Sequence, residues 1–182
     1  MRPLCRCVVL LLATLITFVA VPRADGQSTG IARILTRFPE YHVLTLGERN
    51  SDARTFIRAH FPKHNPSIVY ADFDGDGHPD YAILLKAAKS AAAKLVFLLC
   101  SEKAECEKIY EVDVTSSAGE VFIRPVPTRS KISQADSIDT KDYPAPVKLR
   151  STGIEVTYFG QAKVICYWSR KDKKMESIQT ED

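Results

Sequence analysis

Apolar residues recur at helical spacing near the start of the chain and at strand spacing through most of the rest. Ile31, Ile34, Leu35 and Phe38 lie on one face of a helix that opens after Ser28 and Thr29 and is stopped by Pro39. Residues 41–46 alternate weakly, as a strand would. Asn50 and Ser51 are both good N-caps, and Ala53, Phe56 and Ile57 behind them share one face. A second helix is therefore expected there until Pro62 breaks it.

From Ser67 onward, β-branched and aromatic runs alternate with polar turns, at 68–71, 81–85, 94–100, 106–114, 121–124, 147–149, 154–158, 162–168 and 175–178. Links as short as Phe159-Gly160-Gln161 and residues 101–105 favour antiparallel hairpins over parallel crossovers. Several runs are apolar on both faces, which suits a sheet covered on one side by the early helices. The expected class is α+β, an antiparallel β-sheet meander of about 7–9 strands with one or two short N-terminal helices. Residues 125–146 hold four prolines, several serines and scattered charges without periodicity, and are expected to form a long surface loop.

The strongest apolar run, residues 8–20, follows Arg2 and Arg6 and precedes Ala24-Asp25-Gly26. Basic start, apolar middle and small residues at a cleavage site are the pattern of a signal peptide, cut after Gly26. The run is shorter than the ~20 residues of a membrane span, so no stable span is expected after cleavage. Cys5 and Cys7 precede it, whereas a lipidated cysteine would follow it. This reading divides the chain into a leader, 1–26, and one α+β domain, 27–182, secreted or periplasmic.

Charge narrows the range of partners. Removing Arg2, Arg6, Arg23 and Asp25 from 25 basic and 22 acidic residues leaves 22 against 21. A near-neutral chain offers no field for nucleic acid or a polybasic membrane patch, and the expected partner is an unidentified protein or surface ligand. Cys100 and Cys106 flank a charged stretch between two apolar runs and are expected to pair as a disulfide in an oxidising compartment. Cys166, within Val164-Ile165-Cys166-Tyr167-Trp168, reads as a buried strand thiol.

The chemistry concentrates in Asp72-Phe73-Asp74-Gly75-Asp76-Gly77-His78-Pro79-Asp80. Carboxylates at loop positions 1, 3, 5 and 9, with glycine at 6, have the spacing of a calcium loop. A hard cation needs oxygens converging from alternate residues and a glycine where the chain turns sharply. The expected ligands are Asp72, Asp74, Asp76, Asp80 and, at position 7, the carbonyl oxygen of His78. Position 12 of a helical calcium hand would be a bidentate Glu, but here it is Ile83, so the loop should open into a strand.

A strand, Asp-x-Asp-Gly-Asp-Gly-x-x-Asp and a second apolar strand, spanning residues 67–85, resemble the calcium loop of FG-GAP and VCBS-type repeats of secreted and cell-surface proteins. The resemblance implies a Ca²⁺ cofactor and an extracellular recognition role. It covers one copy only, and Asp136, Asp139 and Asp142 do not repeat the spacing, so propeller blades are not expected.

Val69-Tyr70-Ala71-Asp72-Phe73-Asp74-Gly75 also resembles the first motif of haloacid-dehalogenase-type phosphohydrolases. That resemblance implies Asp72 as nucleophile and Asp74 as general acid. Asp76 stands where that family has Thr, and no βαβ alternation follows. Pro62 separates His60 from His64, so they are not a ligand pair on one regular helix, and His42 is isolated. With no recognisable catalytic serine or cysteine motif, the expected protein is a non-enzymatic, calcium-stabilised binding or interaction module.

Overall fold

The computed structural model describes residues 24–103, 105–135 and 146–181. Residues 1–23 of the expected leader, and Asp136, Asp139 and Asp142, lie outside the described residues. Helix α1 (Ala24–Leu35) begins at the last three residues of that leader, earlier than the sequence pattern predicts. Strand β1 (Tyr41–Val43) and a 3-10 turn at Leu46–Glu48 precede α2 (Ser51–His60). Asn50 caps α2 by accepting the Ala53 N–H at 2.8 Å.

Ten further strands follow among the described residues. They are β2 (Ile68–Ala71), β3 (Asp80–Ala87), β4 (Ala93–Cys100), β5 (Cys106–Asp113), β6 (Val121–Val126), β7 (Lys131–Ile132), β8 (Val147–Lys148), β9 (Gly153–Tyr158), β10 (Ala162–Ser169) and β11 (Lys174–Glu181), with β1 counted before them. All recorded pairings are antiparallel. The α+β class and the antiparallel hairpins are as expected, but the described residues hold eleven strands and the single meander is replaced by separate sheets. One sheet runs β1-β3-β4-β5, with β2 sharing the edge of β3 alongside β1. The other runs β11-β10-β9-β6, and β7 pairs only with β8.

The period of two along each strand explains the layering. Ala82 and Leu84 of β3 and Leu95 and Phe97 of β4 meet Val121, Ile123, Ile154, Val156 and Cys166 in the core between the sheets. The alternate residues Tyr81, Ile83, Leu85, Val96 and Leu98 point to the opposite face, where Ile34 of α1 covers them. The two-sided apolar character of these strands therefore follows from two layers of cover. A Cβ on Gly30 would come within 2.1 Å of the Tyr81 hydroxyl, so α1 can lie this close only through glycine. On the other sheet, Phe56 of α2 rests near Phe122 and Phe159, with ring centroids 6.1 and 5.1 Å away. Cys166 is buried as expected, and burial pushes its thiol up to about 12.

The expected loop at 125–146 is corrected in its N-terminal part, while the strand expected from residue 147 begins there. Pro125 and Val126 continue β6, and Lys131–Ile132 pairs with Val147–Lys148. Ile132 is buried with Leu149 and Ile165. A strand of two residues is too short to show a period in sequence.

Arg49 joins the sheets. Its guanidinium is buried, donating from Nε to the Val121 carbonyl at 2.9 Å and from Nη1 to that of Thr45 at 2.9 Å. Nη2 donates to the Pro66 carbonyl at 3.1 Å and to Ser67 Oγ at 2.7 Å. The Ser67 hydroxyl in turn donates to the Leu44 carbonyl. Burial pulls the guanidinium down to about 10, so it remains a cation, held by carbonyl dipoles. Arg49→Ala is expected to lower unfolding free energy by about 3 kcal/mol, because several buried acceptors lose their donor together. Urea unfolding measures this, and Arg49→Lys should recover only part of the loss, since one ammonium cannot reach all four acceptors.

Candidate metal centre

Residues 72–80 link β2 to β3, and the chain is turned there by its own carboxylates. Asp72 accepts the Gly75 N–H at 2.5 Å through Oδ1 and the Gly77 N–H at 3.0 Å through Oδ2. Asp74 accepts the Asp76 N–H at 3.0 Å, and Asp76 accepts the His78 N–H at 2.7 Å. These short-range bonds need a side-chain acceptor at every second residue, which explains the alternating aspartates locally. Gly75 adopts φ +79° and Gly77 φ +93°, conformations that L side chains rarely take.

Phe73 does not face solvent as its neighbours do. Its ring is buried in the core between the sheets, 6.5 Å from Phe97. Its carbonyl accepts the Ser151 hydroxyl, and the Asp72 carbonyl accepts the Thr152 N–H at 3.2 Å. Arg170, in the turn between β10 and β11, donates to the carbonyls of Asp74 and Gly75, each at 3.1 Å. A Cβ on Gly75 would lie 1.8 Å from Arg170 Nη2, so this contact also requires glycine. Ser151, Thr152 and Arg170 come from the second sheet's side and carry no signal in sequence, because the contacts to Asp74 and Gly75 span 96 and 95 residues.

Asp80 closes the loop. It is fully buried, with Oδ2 accepting the Phe73 N–H at 2.7 Å and Oδ1 the Cys100 N–H at 2.9 Å. Each oxygen keeps a second acceptor site. Ligand oxygens of Asp72, Asp74 and Asp80 all lie within 4.8 Å of one another. Two oxygens on one calcium ion, each about 2.3–2.6 Å from it, stand no more than about 5 Å apart, so the spacing of the trio allows its three carboxylates to share one ion of that size. Asp76 stands outside the trio, and His78 and Pro79 line the cavity beside α1.

Negative charge accumulates in the trio without an ion-pair partner, the Arg170 guanidinium being bound to the loop's carbonyls. Among the described residues no lysine or arginine is ion-paired with Asp72, Asp74 or Asp80. Burial raises the Asp74 carboxyl above its ordinary value, with repulsion from Asp76 and Asp72 adding to it. Burial likewise pushes Asp80 up to about 6, against the two amide bonds that favour its ionised form, and Asp74 and Asp76 push the same way. A bound cation would reverse these shifts.

Cys100 and Cys106 form the expected disulfide, directly opposite each other across β4 and β5. No protein-family model, curated protein or solved structure matches the chain.

The raised Asp80 carboxyl sets a pH dependence. A carboxylate whose folded value exceeds its unfolded one binds the proton more tightly in the native state, so its ionisation opposes folding. In chelator, the urea midpoint of the wild-type protein should rise as pH falls from 7 to 5, through the folded value of about 6. In Asp80→Asn that rise should shrink to the part that the raised Asp74 carboxyl contributes. The variant should also be less stable at pH 5, since an amide NH₂ must face either the Phe73 or the Cys100 N–H.

Proposed function

We propose that residues 72–80 hold one calcium ion and that the protein is an exported, non-enzymatic binding module whose native state the ion stabilises. The convergence of Asp72, Asp74 and the buried Asp80 within 4.8 Å, without a basic partner among the described residues, carries the reading. Asp76 and the His78 carbonyl complete the ligand set once the ion is present. The resemblance of residues 67–85 to FG-GAP and VCBS-type calcium loops supports the choice of ion.

Export is supported by the leader pattern of residues 1–26 and by the disulfide, which belongs to an oxidising compartment. No helix of the described residues is long and apolar enough to cross a membrane. The phosphohydrolase alternative places Asp72 and Asp74 before a crossover helix, whereas here the loop enters β3, an antiparallel partner of β2.

Because the loop joins β2 to β3, calcium binding fixes their register and favours the folded chain. Extracellular calcium modules bind with dissociation constants of ~0.1–1 mM, so calorimetry at millimolar calcium should give one site, lost in Asp74→Ala. Calcium at 100 times that constant should add about 2.7 kcal/mol, a melting shift of several degrees relative to chelator. An unchanged midpoint together with metal-dependent turnover of a phosphate ester would instead establish the phosphohydrolase.

A further inference from the structure

A cavity of about 820 Å³ opens between α1, the start of β3 and the disulfide-closed turn between β4 and β5. Its size is that of a small-ligand site, for which about 300–1,000 Å³ is usual. The floor is aromatic and apolar. Tyr70, among the most exposed large hydrophobic side chains described, lies with its ring centroid 4.8 Å from that of the buried Tyr81. The Cys100–Cys106 disulfide and Ile34 continue this surface.

The rim carries opposite charges on two different elements. Arg33 stands in the last turn of α1, while Glu102 and Glu105 stand on the turn after β4. All three are exposed, and none has an ionic partner among the described residues. The neighbouring Arg37 is already committed, donating to the Cys106 carbonyl. A polyanion would meet the glutamates and a polycation would meet Arg33. An extended zwitterion with an apolar or aromatic middle satisfies both walls and the floor.

We propose that this cavity binds a short peptide by its two ends, its terminal carboxylate on Arg33, its terminal amine on Glu102 and Glu105, and an aromatic side chain on Tyr70. The proposal identifies the ligand class of the binding module but does not use the metal. His78 and Pro79 bring the calcium loop into the cavity wall, yet every contact invoked comes from α1, β2 and the disulfide turn.

The test is calorimetric titration with the tripeptide Ala-Phe-Ala in three forms: both ends free, C-terminally amidated, and N-terminally acetylated. The free form is expected to bind at millimolar concentration or tighter. Amidation and Arg33→Ala should each weaken it about fivefold, as loss of an exposed ion pair does, and together no further, because both remove the same contact. Acetylation should couple in the same way to the double change Glu102→Gln and Glu105→Gln. Tyr70→Ala should weaken all three forms alike. Arg33→Ala must still bind the amidated peptide as well as the wild type does, which shows the variant is folded. No binding of the free peptide, or equal affinity for all three forms, overturns the proposal. Calcium calorimetry on the same samples reads the loop separately, so either reading can fail alone.

Discussion

The carboxylate of Asp80 is the contact on which the loop, the neighbouring strands and the cavity all depend. One oxygen holds the Phe73 amide at the start of the loop and the other holds the Cys100 amide at the end of β4. Cys100 carries the disulfide that closes the turn to β5, and that turn forms one wall of the cavity. A single buried anion thus positions the acidic loop and the aromatic floor relative to each other. Its unused acceptor sites lie beside Asp72 and Asp74, so the group that organises the loop also completes the cluster able to take a cation.

Arg49 is the counterpart at the other end of the sheet. Asp80 is a buried anion satisfied by amide N–H groups, and Arg49 is a buried cation satisfied by carbonyl oxygens and a serine hydroxyl. Neither is paired with an opposite charge. Each instead binds the irregular backbone where the sheets change over, at 44–49 and 66–67 for Arg49 and at 72–80 for Asp80. Regular ladders satisfy their own backbone groups, but connections buried between sheets cannot, and a buried charge with several hydrogen-bonding sites meets that need. The cost is ionisation against burial, visible in the downward shift of Arg49 and the upward shift of Asp80.

Local chemistry was legible in the sequence wherever the governing interaction is itself local. The Asn50 cap, the stop before Pro62, the opening of the acidic loop into the strand that carries Ile83 and the Cys100–Cys106 pair all follow from residues a few positions apart. The acidic loop could be read for the same reason, since its turns are made by aspartates bonding to amides two to five residues away. The period of two marked the strands, and their two-sided apolar character announced the helical cover that α1 gives one face.

Tertiary structure decided the rest. No local pattern states that β6 and β9–β11 form a second sheet, because alternation shows which face is apolar but not which neighbour it meets. The pairing of Lys131–Ile132 with Val147–Lys148 is too short to leave a period. Arg170, Ser151 and Thr152 look like ordinary turn residues until the fold carries them to the loop, and Arg33 lines the same cavity as Glu102 and Glu105 only because α1 lies across Tyr81. The sequence by itself determined where carboxylates alternate along a turning backbone, since that spacing is a short-range property. Which of them converge, what braces them and what stands beside them depended on chain closure over as many as 96 residues, and local spacing carries no information about that.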